Sequence, residues 1–223
     1  METTKLFTLV KFVLAGFVVL GLTTTAFAQY DANARKVLDA MSEKYKQTPS
    51  FEAKFSYMLE MPSQKPDKME GNILVKNNKY VLDMGNQKVF NNERLVWTYI
   101  KDEEFSEVTI TEHSSDPENP APTEVFDMYK DGFKYRIVGE EVINGQKHDV
   151  IELDPEDRGL SYYKIILTIS KSDNTLSEWQ IFEKNGRKYT YKIEGFTPKN
   201  NLSDTSFEFD ESEYPGVDVV DLR

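Results

Sequence analysis

SFEAKFSYMLEM, residues 50–61, decides the fold. Phe51, Ala53, Phe55, Tyr57, Leu59 and Met61 alternate with Glu52, Lys54, Ser56, Met58 and Glu60. A period of two puts one set of side chains on each side of an extended chain, so this is a strand with one buried face. The preceding residues have a different period. Val37, Leu38, Met41 and Tyr45 form one stripe of a helix that Asp31 can cap and Thr48-Pro49 stops. The following residues repeat the strand pattern. Extended runs at 71–76, 79–84, 88–90, 94–100 and 107–111 are parted by Asn77-Asn78, Gly85-Asn86, Asn91-Asn92 and residues 101–104, all turn-prone.

EHSSDPENPAP, residues 112–122, interrupts the series with three prolines and reads as a loop. Thr123 to Lys130 reads as a short helix ending before Asp131-Gly132. Strand patterns resume at 134–138, 147–153, 162–170, 177–183 and 188–194. Asn144-Gly145 and Asn185-Gly186 are expected to be hairpin turns with two positive φ values each. Phe207 and Phe209 alternate once more before an acidic tail from Asp210, which reads as solvated. The sum is a mostly β chain of about ten or eleven strands with one N-terminal helix and a short mid-chain helix. Short turns imply an antiparallel meander, and a sheet of that size curls into a barrel or half-barrel.

The N-terminus stands apart. Lys5 and Lys11 precede the apolar and small run Phe12 to Leu22, and Ala26-Phe27-Ala28 forms a small-x-small cleavage site before Gln29. Residues 1–28 therefore read as a secretory signal peptide, the run being too short for a membrane span of roughly 20 residues. Residues 29–223 are then a single exported domain.

Composition removes several chemistries. The 223 residues contain no cysteine, which excludes disulfides and cysteine-based zinc, iron–sulfur or nucleophile chemistry. A formal charge of −11 argues against nucleic acid and against electrostatic docking on anionic membranes. His113 and His148 are far apart in sequence with no ligand pattern around them, and both read as solvated, so no metal or cofactor is expected. No phosphate loop, nucleophile elbow, zinc-protease or calcium-loop motif occurs, and the carboxylates fall in turns. Nothing points to an enzyme.

The informative feature is an excess of apolar residues on one parity of each strand. Phe55, Tyr57, Leu59, Ile73, Val75, Tyr80, Leu82, Leu95, Trp97, Tyr99, Tyr163, Ile165, Leu167, Ile169, Trp179, Ile181, Tyr189, Tyr191 and Ile193 would form one broad concave face. Only the first helix and the short mid-chain helix are available to cover it. Two readings stay open on pattern alone. One is a filled barrel core; the other is a cavity for an apolar ligand.

Six ordered motifs resemble the LolA-type periplasmic outer-membrane lipoprotein carriers. Ser50 to Phe55 is similar to the family's S-F-x-A-x-F opening strand, and Glu70 to Lys76 to its E-G-x-[LF]-x-[VL]-K strand. Lys79-Tyr80 resembles the aromatic start of the next strand, and Asn92 to Tyr99 the D-G-x-x-L-W-x-Y hairpin. Pro122 to Tyr129 sits where the family has a short lid helix, and Phe207-Glu208-Phe209 with Tyr214 to Val219 resembles its F-x-F…P-x-G-V-x-V ending. The resemblance implies an incomplete, unclosed antiparallel β-barrel with helices as a lid.

It further implies a monomeric periplasmic carrier for lipoprotein acyl chains. Such a carrier is loaded by an inner-membrane lipoprotein-exporting ABC transporter and unloaded to an outer-membrane acceptor, protein or membrane. The acyl-chain residues would be Phe55, Tyr57, Leu59, Ile73, Val75, Tyr80, Leu82, Trp97, Tyr99, Ile165, Leu167 and Ile181. Val37, Leu38, Met41, Val125, Phe126 and Tyr129 would form the lid. The other function such a fold implies is a periplasmic lipid- or glycolipid-binding or sensor module. The family's K-R-P after the second strand, whose arginine fastens the lid, is replaced here by Lys76-Asn77-Asn78-Lys79. That leaves Lys76 or Lys79 to take its place as a point charge rather than a bidentate fork.

Overall fold

The computed structural model describes residues 31–102 and 105–223. The signal peptide read at residues 1–28 lies outside them. The elements are α1 (Ala32–Gln47), β1 (Ser50–Glu60), β2 (Asp67–Lys76), β3 (Lys79–Asp83), β4 (Gln87–Asn91), β5 (Leu95–Lys101), β6 (Ser106–Glu112), β7 (Phe133–Ile143), β8 (Gln146–Pro155), β9 (Tyr162–Ser170), β10 (Leu176–Glu183), β11 (Lys188–Pro198) and β12 (Asp218–Asp221).

All twelve strands form one sheet in the order β12-β6-β5-β4-β3-β2-β1-β11-β10-β9-β8-β7. It does not close, because β12 and β7 remain its two edges. The fold is thus an unclosed half-barrel: strand patterning left barrel and half-barrel open, and the family resemblance implied the unclosed form. The meanders β1–β6 and β7–β11 are antiparallel throughout and join where β1 pairs with β11. This order has a topological consequence. β6 and β7 lie near opposite ends of the sheet, so the chain between them, residues 113–132, must span it, and it does so over the concave face. The covering strap is built into the connectivity.

Helix α1 forms where the 3.6-residue stripe and its cap predict. The Asp31 carboxylate accepts the N–H groups of Asn33 at 2.8 Å and Ala34 at 3.3 Å, two donors a helix start leaves unpaired. Its other oxygen accepts the Ile137 N–H at 3.2 Å, and the Asp31 N–H donates to the Tyr135 carbonyl. These bonds hold the carboxyl below the usual aspartate range, the Ile137 N–H foremost. One side chain therefore caps the helix and ties it to edge strand β7. Ala34, Leu38, Met41 and Tyr45 bury the inner stripe against the sheet. At the far end, the buried Tyr45 hydroxyl accepts the Leu176 N–H at 3.1 Å, pinning the helix to β10.

Four expectations need correction or completion. Residues 123–130 are two 3-10 turns, Glu124–Phe126 and Met128–Lys130, and not one helix. Asp127 between them has φ −127°, outside helical range, so neither turn propagates into the next. The acidic tail is solvated at its carboxylates, with Asp210, Glu211, Glu213, Asp218 and Asp221 exposed, but it is no loose end, since Tyr214, Val217 and Val220 are half-buried. Residues 199–217 lie across the outer face of the sheet, and β12 then adds to β6 in parallel register, Val219 opposite Val108. This is the twelfth strand and the one departure from an antiparallel meander. His148 is buried, with Nδ1 at 2.9 Å from the Gln146 carbonyl and Nε2 at 2.9 Å from Ser177 Oγ. Finally, only Asn144-Gly145 has two positive φ values, 50° and 80°. At Asn185-Gly186 only the glycine does, and the Glu183 N–H bonds to the Arg187 carbonyl, giving a three-residue loop instead of a two-residue one.

Candidate functional site: a cavity beneath the strap

Cross-strand register decides which side chains share a face. Phe55 lies opposite Ile193, Tyr57 opposite Tyr191 and Met69, Ile73 opposite Leu82, Trp179 opposite Tyr191 and Leu167, and Ile165 opposite Ile181. All point to the concave side. Gly71 faces Phe55 across the β1–β2 pair, and a Cβ there would come within 2.6 Å of the Phe55 ring. The glycine is what lets that ring lie flat along the wall.

The strap does not fill the space above this face. A cavity of about 310 Å³ remains. The sheet contributes Phe55, Tyr57, Met69, Ile73, Leu82, Ile165, Trp179, Ile181, Tyr191 and Ile193 to its lining, with Met84 and Gln87 from the β3–β4 hairpin. The strap contributes Pro120, Ala121, Pro122, Val125 and Met128. The wall is apolar and aromatic, with Gln87 as its one amide. Tyr191 stacks on Trp179 at 4.4 Å between ring centroids and contacts Tyr57 at 5.1 Å. Burial raises the pKa of both tyrosines, so their phenols stay neutral and the cavity carries no charge at neutral pH. Such a surface recognises hydrocarbon and offers almost nothing to a polar ligand.

A polar knot fastens the strap to α1. The Tyr129 hydroxyl donates to Asp39 at 2.6 Å, Ser42 donates to Asp127, and Lys130 donates to Ser42 at 2.8 Å and pairs with Asp127. Burial opposes ionisation of Asp127, but hydrogen bonds from Lys130 and Ser42 outweigh it and hold the carboxyl below its usual range. Inside the knot the Phe126 ring stacks on Tyr45 at 3.7 Å. Further along, the Glu118 carboxylate accepts the Ser161 N–H, and Tyr162 donates to the Pro117 carbonyl at 3.2 Å. Lys76 and Lys79 take no part in this. Both pair with Asp204 at 2.8 and 3.2 Å, and Lys76 also donates to the Leu202 carbonyl, so they fasten the C-terminal segment to the outer face.

The residues singled out from sequence therefore divide. Phe55, Tyr57, Ile73, Leu82, Ile165, Ile181 and Val125 line the cavity. Val75 and Phe126 line a narrow extension of it. Tyr80 and Leu167 are buried in the same core without lining the space, and Leu59, opposite Tyr189, sits half-exposed beyond it. Leu38 and Met41 are fully buried beneath α1, Val37 packs beside them, and Tyr129 is buried at the knot. Trp97 and Tyr99 are misplaced by the sequence reading. Trp97 lies opposite Phe90, in a separate cluster with Val81 and Phe207, and Tyr99 packs on Phe209 and Tyr214. Both belong to the outer face. Strand β5 is apolar on both parities, so alternation could not choose between them. The sequence reading also missed Met69, Met84, Gln87, Pro120, Ala121, Pro122 and Met128. Apart from Met69, which faces Tyr57, these lie in loops or strand ends where no periodicity operates.

Among the described residues no cluster of metal-ligating side chains is present, and no helix is long and apolar enough to cross a membrane. Residues 24–183 match the family model described as outer membrane lipoprotein carrier protein LolA. No curated protein matches the chain. Among solved structures, an uncharacterized conserved protein from Thermus thermophilus superposes with a TM-score of 0.56 at 12% identity, covering 85% of this chain and 99% of that one. A LolA superfamily protein from Nitrosomonas europaea gives 0.43 at 15% identity, covering 79% and 98%. The MucA/MucB complex of Pseudomonas aeruginosa gives 0.47 at 16% identity, covering 80% and 62%.

Proposed function

Because this chain belongs to the LolA family of outer membrane lipoprotein carrier proteins, we propose that it shields lipoprotein acyl chains in the cavity beneath its strap and ferries them between membranes. The observation that carries the reading is an uncharged cavity, walled by apolar and aromatic side chains, that the strap covers and does not fill. Each buried methylene is worth about 0.8 kcal/mol, so an acyl chain leaves a membrane at a useful rate only when another apolar surface receives it. A carrier must bind hydrocarbon with little directional preference, and this wall has one amide and no charge.

At about 310 Å³ the space is at the small end of ligand sites, which run from roughly 300 to 1,000 Å³. Cargo with several chains therefore displaces the strap. The helix is the fixed jaw, since its ends are bonded to β7 and β10 and its inner stripe is fully buried. The strap, held to it through Asp39, Ser42, Asp127, Tyr129 and Lys130, is the moving jaw. The protein acts in the periplasm after loss of residues 1–28, and as a carrier rather than an enzyme. An inner-membrane ABC transporter loads it, and an outer-membrane acceptor with higher affinity draws the cargo onward.

Native mass spectrometry of the protein purified from periplasm without detergent tests this. Adducts that fragment to acylated lipoprotein N-termini are expected. Adducts of a glycolipid or phospholipid instead would make the chain a binding or sensor module. A bare mass that persists after addition of triacylated lipopeptide would remove the carrier reading.

A further inference from the structure

The cavity narrows at one end, and aromatic side chains crowd that end. Beyond the main space lies a neck of about 30 Å³, walled by Phe51, Val75, Phe126 and Phe196 among others. The two spaces share Ile73, Pro122, Trp179 and Ile193 in their linings, so the neck continues the cavity. Past the neck is a cleft of about 320 Å³ with a polar wall that includes Ser42, Lys46, Asn77 and Asp127. Tyr45, Phe51, Val75 and Phe126 line both the neck and the cleft. Together they stand between an apolar channel and a polar, open one, and Phe126 is the one among them carried by the strap.

The rings around it differ in how they are held. Phe51 is in β1, and Tyr45 is in α1 with its hydroxyl bonded to the β10 backbone. Phe126 sits in a 3-10 turn of the strap, half-buried, stacked on Tyr45 at 3.7 Å and edge-on to Phe51 at 6.2 Å. Of the rings at the neck it is the one mounted on the covering segment, and the cleft behind it gives it room to turn.

We propose that Phe126 is the length stop of an acyl-chain site: hydrocarbon entering the cavity ends against this ring, and its size sets the longest chain that stays fully covered. The inference rests on the carrier reading and adds its specificity. Without the ring, the neck widens and a long chain runs further along Phe51 and Phe196, burying more methylenes; a short chain never reaches it.

The test uses the full mature chain and monoacyl lipopeptides bearing lauroyl, myristoyl, palmitoyl or stearoyl groups, with affinity read by displacement of a fluorescent apolar probe. Phe126→Ala should raise the ratio of stearoyl to lauroyl affinity about tenfold, since two further buried methylenes correspond to about that factor and any general loosening of the strap acts on both chains alike. Phe126→Trp should do the reverse, weakening the longest chains first. It also keeps the inference open to refutation should the alanine variant not fold. Parallel affinity profiles for wild type and both variants would overturn the length stop while leaving the carrier reading intact. Failure of the wild type to bind any member of the series would overturn both.

Discussion

The two faces of the sheet over β2–β5 are both apolar, and each is crossed by a long irregular segment, yet one is a solid core and the other is hollow. On the outer face, Phe207 inserts fully among Val81, Phe90 and Leu74, and Phe209 and Tyr214 stack at 4.5 Å over Tyr99. On the inner face, the strap brings Pro120, Ala121, Pro122, Val125 and Met128 over Ile73, Leu82 and Trp179, and a cavity remains. The difference lies in the covering side chains. Aromatic rings reach down to the sheet and exclude solvent, whereas proline and alanine stiffen a cover but cannot reach. The segments are also fastened differently: the outer one by Lys76 and Lys79 on Asp204, the inner one by a knot to the helix. A filled face serves stability and a covered one leaves space for a guest.

The contrast can be broken most sharply at Phe207. Its side chain is fully buried, so Phe207→Ala should cost about 3–5 kcal/mol in urea unfolding. A loss under about 1 kcal/mol would mean that the outer face is no more filled than the inner. A smaller effect is expected at Ala121. Adding bulk to a packed core usually costs about 1–3 kcal/mol. Ala121→Phe should cost less than about 1 kcal/mol, because the ring enters space already empty, and it should reduce uptake of an apolar probe. Destabilisation without lost uptake would show that this side chain does not border the guest's space.

The smallest effect concerns the fastening of the outer segment. Hydrogen bonds from Lys76 and Lys79 hold the Asp204 carboxyl below its usual range. A lowered carboxylate pKa stabilises the folded state above the ordinary aspartate value, about 3.9, and that contribution fades as pH falls through the lower folded-state value. The melting-temperature gap between wild type and Asp204→Asn should therefore be present near neutrality and shrink below about pH 4. A gap that does not change with pH would assign the role of Asp204 to its 3-10 turn and not to its charge.

Much of the fold could be read in the sequence. Alternation from Phe51 to Met61 and its repeats located eleven strands, and Asp31 with the Leu38–Met41–Tyr45 stripe located the helix with its cap. These succeeded because they depend on neighbours within a few residues. The misreadings share the opposite property. Trp97 and Tyr99 went to the wrong face because their strand is apolar on both, and only pairing with Phe90 and Val108 assigns them. The acidic residues from Asp210 onward are solvated as they look, but the packing of Tyr214 among them on Phe90 and Tyr99 leaves no local pattern. The knot of Asp39, Ser42, Asp127 and Lys130 joins residues some 90 positions apart and leaves no local pattern.

By itself, then, the sequence determined the strands, the helix and the apolar character of the sheet's faces, since backbone period and side-chain hydropathy are local quantities. Only the tertiary structure decided which face is hollow. That depends on how far the side chains of a crossing segment reach toward the sheet beneath, a distance set by register and topology and written in no single stretch of the chain.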